Sequence, residues 1–177
     1  HLDGARLSNA TAALGGTVAA LRSFTVDAGV DVVSFGGTKA GLLGGEAVVY
    51  LDAALAQRAK YVRKMVNQLP SKMRFVAAQF NALLDDDLWI KGAQHSNQMA
   101  LQLYEATRHI PGVEFDHAPQ VNSLFPQLPA DAIAALCDWC FFWDWDISRR
   151  QVRWMTAWDT TADDVDRFAA GVRHLLG

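Results

Sequence analysis

Leu7, Ala10 and Leu14, followed by Val18 and Leu21, recur at helical spacing and predict two short helices over residues 7–14 and 17–24. Gly15 and Gly16 predict the break between them, because paired glycines weaken a helix. The largely apolar run Val30–Phe35 reads as a buried strand, and residues 46–51 read as a second. Between the two lies a glycine-rich turn, Gly36-Gly37 to Gly44-Gly45, that carries one amine, Lys39. Residues 52–67 read as an Ala-rich helix ending near Pro70, and 72–84 and 94–108 as two more. The segment His109-Ile110-Pro111-Gly112 is a stop signal.

Beyond Pro111 the texture changes. Short apolar stretches at 121–125, 140–145 and 151–157 alternate with turn residues, and helices fit at 130–139 and 161–176. Thr161 and Asp164 have capping-box spacing, and Val165, Phe168, Val172 and Leu175 form one face of the last helix. This predicts two parts, residues 1–109 and a small α+β domain over 110–177. No internal repeat or low-complexity tract is present.

Composition narrows the class. The chain has 177 residues, half of them hydrophobic, enough to build a substantial core. The formal charge is -3 and the basic residues are scattered, so no stripe points to nucleic acid. No apolar stretch approaches the roughly 18 residues that span a membrane. No signal peptide is visible, and two cysteines make no disulfide framework. These features predict a soluble cytoplasmic protein. The chain begins at His1, without Met, and enters a motif at once; we read it as the C-terminal part of a longer protein.

The candidate chemistry lies in HLDGAR and the lysine turn. If the strand that precedes Gly4 begins upstream, His1 and Asp3 share one face of its end. Gly4 then lets the chain turn into the helix at 7. Functional groups in α/β sheets gather at the carboxyl ends of strands. The separation of Asp3 and Lys39 suits a βαβ unit, with acid and amine on consecutive strand ends facing one crevice. An isolated lysine and an aspartate so placed suit pyridoxal phosphate: the amine forms a Schiff base with the aldehyde, and the acid keeps the ring nitrogen protonated.

HLDGARLSNA, DVVSFGGTKAG and VRWMTAWDTTADDVDRF, in that order and spacing, resemble the threonine aldolase family, within the β-eliminating lyases of fold-type-I pyridoxal-phosphate enzymes. The resemblance covers nearly the whole chain as the C-terminal half of such an enzyme. It implies an α/β fold: part of a mostly parallel large domain, then a small α+β domain. It implies Lys39 as the Schiff-base lysine, Asp3 as the ring-nitrogen partner, Arg6 as a further cofactor-binding residue, and Arg6 and Arg153 as holders of the substrate carboxylate. It further implies cleavage of threonine-like β-hydroxy-α-amino acids to glycine and an aldehyde, a homodimer or homotetramer, and an N-terminal half that completes the site. Thr38 stands where many relatives have Ser, and KMVNQLPSKMR replaces a glycine-rich stretch, which bears on whether Arg63, Lys64 or Lys72 reaches a neighbouring phosphate.

Other readings stand beside these. Lys39 could be a solvated turn lysine, and Asp3 could cap the helix at residue 7. Arg153, between Val152 and Trp154, could be an edge-strand arginine with its stem packed on tryptophan. Cys137 and Cys140 form a CxxC, but no second pair or suitable histidine spacing makes a metal site, so core packing is the simpler account. His95 reads as a residue that caps or starts a helix. GGTKAGLLGG is no P-loop, because Ala follows the lysine. The rivals in function are another pyridoxal-phosphate lyase or aminotransferase of the same fold, and a non-catalytic interaction domain that kept the fold.

Overall fold

A computed structural model describes residues 1–177, which pack as two units, His1–Gly92 and Ala93–Gly177. In the first, β1 (Leu2–Gly4) leads into α1 (Leu7–Ala13) and α2 (Val18–Ser23), and the chain returns as β2 (Val32–Gly36). Gly15 and Gly16 take φ of 104° and 70°, so the helices break where the glycine pair predicts. Thr17 caps α2 by accepting the Ala20 N–H. β1 and β2 pair in parallel, in the register Leu2↔Val33, Asp3↔Ser34, Gly4↔Phe35. Val33 and Phe35 point inward, and Phe35 packs against Phe80 and Trp89.

β3 (Glu46–Tyr50) runs antiparallel to β2 and completes a sheet in the order β1-β2-β3. The lysine loop is too short for a parallel return, which takes a crossover of about a dozen residues or more. The expectation of a second buried strand is therefore corrected: β3 lies at the sheet edge, with Val48 and Val49 exposed. Residues 52–67 form not one helix but a 3-10 segment (Ala53–Arg58) followed by α3 (Ala59–Met65). Then come α4 (Arg74–Leu84) and α5 (Leu88–Thr107). The latter begins well before residue 94, directly after three aspartates, whose charge favours a helix N-terminus.

Met99, Ala100 and Leu103 are buried in the second unit's core, which draws the later part of α5 into that unit. The sequence boundary at 110 marks instead where the helical run stops, with Gly112 at φ 83°. The second unit continues through β4 (Ser123–Leu124), α6 (Ala130–Trp139), β5 (Trp143–Asp146), β6 (Gln151–Met155) and α7 (Ala162–Leu176). Its sheet is antiparallel in the order β4-β6-β5. Trp154, 2% exposed, is the aromatic centre of this core and meets Phe115, Phe142 and Phe168 edge-on.

The capping box at α7 is present in both directions: Thr161 accepts the Asp164 N–H and Asp164 accepts the Thr161 N–H. Val165, Phe168 and Val172 face the core as their spacing predicts. Leu176 rather than Leu175 closes that face, since a step of four from Val172 continues the stripe. No helix is long and apolar enough to cross a membrane.

Candidate active site

Gly4 shows why the chain turns where it does. A Cβ there would lie 2.6 Å from the Ser34 carbonyl oxygen, so only glycine lets β1 approach β2 this closely. Alternation along β1 then turns Leu2 toward the core and His1 and Asp3 toward the opposite face. Asp3 is exposed, and its Oδ1 accepts the Ala5 N–H at 3.0 Å. That bond forms the turn ahead of α1. The N-cap position itself belongs to Arg6 and receives no side-chain bond, so Asp3 does not cap the helix.

Ser34, directly across from Asp3, lies with its Oγ 2.8 Å from Nε2 of His1. An acid, a hydroxyl and an imidazole thus share one face of the strand ends. Ser34 belongs to the lysine motif DVVSFGGTKAG, a position that by itself assigns it no role. The available signal was a polar residue set between Val33 and Phe35, on the face opposite theirs.

Lys39 lies in the 3-10 turn Thr38–Ala40, just past the end of β2. Gly37 opens the turn region by donating its N–H to Gly45 O at 3.0 Å, and Gly41 ends it at φ 111°. A Cβ on Gly36 would lie 3.0 Å from the Ala5 Cα and 3.1 Å from a Glu46 carboxylate oxygen. The Asp3–Arg6 turn and the approach to the lysine turn are therefore packed side by side. The Lys39 side chain is exposed and makes neither a hydrogen bond nor an ion pair within the chain.

Arg6 is half-buried at the start of α1, and its carbonyl accepts the Ala10 N–H at 3.2 Å. Arg153 belongs to the second unit. It lies on β6, the central strand of its sheet, so the edge-strand reading is corrected. The packing on tryptophan is present: the guanidinium carbon lies 5.4 Å from the Trp145 ring centroid. Its Nε is buried and has no hydrogen-bond acceptor.

His95 lies inside α5 rather than at its start, so the capping reading is corrected, and its Nε2 is 2.7 Å from Thr160 O. The Cys137 thiol donates to Phe142 O at 3.5 Å. Cys140 is exposed at the end of α6, so the core reading is corrected for it; what burial it has, and then the neighbouring Cys137, push its thiol up, away from the reactive thiolate. Arg63 donates to Gln68 O at 2.9 Å, and Lys64 and Lys72 are exposed.

The model of the family described as beta-eliminating lyase matches residues 1–129. A low specificity L-threonine aldolase of Pseudomonas aeruginosa is 41% identical over 100% of this chain and 50% of that protein. A protein of the same name from a Pseudomonas species is 40% identical over 99% of this chain and 50% of its own length. Among solved structures, a Leishmania major threonine aldolase superposes with a TM-score of 0.84 at 28% identity, covering 99% of this chain and 51% of that one. The chain spans about half the length of the curated relatives it matches. The α/β fold implied by the resemblance is thus that of the solved relative, and the chain belongs to the beta-eliminating lyase family.

Proposed function

We propose that this chain supplies the lysine, the ring-nitrogen acid and the carboxylate-binding arginines of a pyridoxal-phosphate-dependent aldolase. Its substrates are β-hydroxy-α-amino acids such as L-threonine and L-allo-threonine, split into glycine and an aldehyde. The observation that carries this reading is the parallel β1–β2 pair, which sets Asp3 on a strand end packed beside the turn that holds Lys39. The relatives' names support the substrate class.

The donor set fits the cofactor. An exposed amine without an ion-pair partner and an exposed carboxylate with one oxygen outside the backbone bond suit an aldehyde and a ring nitrogen. When bound, pyridoxal phosphate supplies that aldehyde and a protonated ring that takes up an electron pair. Lys39 Nζ offers the nucleophile, and the tight glycine turn leaves room for close approach. The Asp3 carboxylate would hold the proton of the ring nitrogen in place. Arg6 and Arg153 would each offer a guanidinium to the substrate carboxylate, orienting the amino acid for cleavage of its Cα–Cβ bond. The unit His1–Gly92 serves as part of the large domain and Ala93–Gly177 as the small domain. The N-terminal half of the enzyme and a second copy, in a homodimer or homotetramer, complete the assembly.

Product analysis on the full-length protein tests this reading. With pyridoxal phosphate and L-threonine, glycine and acetaldehyde should appear in equal amounts. 2-Oxobutanoate with ammonia would assign an eliminating lyase instead, transfer of the amino group an aminotransferase, and no product a non-catalytic domain.

A further inference from the structure

Arg153 is a guanidinium with a buried, unsatisfied N–H on the central strand of its sheet. A buried donor without an acceptor is costly, and more so when it carries charge. Both acids of the adjacent strand leave it alone. Asp146 bonds Ser148 Oγ and the Arg149 N–H, and Asp144 makes no ion pair with Arg153. What the guanidinium meets instead is the face of Trp145.

Trp145 reaches that position through an irregularity. Along β5 and β6, Asp144 pairs with Val152 but Asp146 pairs with Gln151, so Trp145 is the extra residue of a β-bulge. Bulges of this kind re-aim a side chain. The ring is further fixed against Phe125, at 4.9 Å between centroids, yet remains more than half exposed. A ring face compensates a delocalised cation without occupying its N–H groups. A carboxylate in the same place would neutralise the charge and fill the fork.

We propose that Trp145 is a positioning residue for the substrate carboxylate: its indole face sets the plane of the Arg153 guanidinium, leaving the two-pronged Nη edge free to bind. The inference rests on the reading of Arg153 given above.

The test uses the full-length enzyme and four variants: W145L, W145M, W145F and R153L. Replacing the ring by Leu or Met should raise KM for L-threonine roughly tenfold and weaken glycine binding by calorimetry similarly, with kcat little changed. W145F, which keeps a ring face, should recover most of the loss. L-Threoninamide, which lacks the carboxylate, should show the same KM in parent and W145L. Thermal melting checks that each variant folds, and W145M keeps the test open if W145L does not. If R153L raises KM and weakens glycine binding but W145L and W145M do neither, the positioning role is wrong while the Arg153 reading stands. If R153L itself changes neither, the reading of Arg153 has failed. An equal loss with threonine and threoninamide in W145L would reduce Trp145 to general packing and overturn the proposal.

Discussion

Asp3 stands directly across the parallel β1–β2 pair from Ser34, whose hydroxyl lies 2.8 Å from the His1 imidazole. The pairing places polar groups on one face of the strand ends while Val33 and Phe35 pass into the core on the other. Asp3 is exposed and no ion pair depends on it, so a substitution there leaves the core untouched.

Asp3→Asn should therefore change stability by less than about 0.5 kcal/mol, as surface substitutions do. In the full-length enzyme it should weaken cofactor binding and lower kcat by roughly a hundredfold, in line with removal of a charge stabiliser. Melting, cofactor titration and steady-state kinetics check this. Loss of stability with normal turnover would make Asp3 a turn residue only.

Gly4→Ala should behave in the opposite way. The new methyl group would meet the Ser34 carbonyl, a backbone atom that cannot swing aside. Overpacking of this kind costs about 1–3 kcal/mol. Denaturant unfolding should show that loss, and activity should fall with it because β1 carries Asp3.

The parts legible in the sequence are those dictated by local chemistry. The Gly15–Gly16 break, α6 at residues 130–139 and the capping box of α7 all follow from residue type and spacing. The direction of β3 was not legible in its apolar run, because apolarity does not distinguish a buried parallel strand from an exposed antiparallel edge. Loop length was the better guide. Asp3, Arg6, Lys39 and Arg153 were all named from motifs. The placement of Ser34 across from Asp3 and of Trp145 against Arg153 was not legible, since one follows from strand register and the other from a bulge, and both are properties of pairing.

The α7 capping box predicts an acid-dependent loss of stability. Asp164 is lowered from 3.8 to about 2, chiefly by the hydrogen bond from Thr161. A depressed carboxylate stabilises the fold above its unfolded value and loses that contribution as pH falls through the folded one. The difference in Tm between parent and Asp164→Asn should hold steady well above pH 3.8, shrink as pH falls through that value and close only below about 2. Thr161→Ala should cost about 1 kcal/mol at neutral pH. A pH-independent gap for Asp164→Asn would show that its charge plays no part.

Arg153→Lys keeps the charge but loses the planar fork and the stacking face. KM for L-threonine should rise at least about tenfold, since a single ammonium cannot reproduce two parallel bonds. Steady-state kinetics on the full-length enzyme checks this, and an unchanged KM would show that charge alone suffices.

Reductive trapping on the full-length protein bears most directly on the central claim. The protein is incubated with pyridoxal phosphate, reduced with borohydride, digested and analysed by mass spectrometry. The phosphopyridoxyl group should be found on the peptide that contains Lys39, and Lys39→Ala should lose both the label and turnover. Label on another lysine, or a Lys39→Ala variant that still traps the cofactor and turns over normally, would contradict the account.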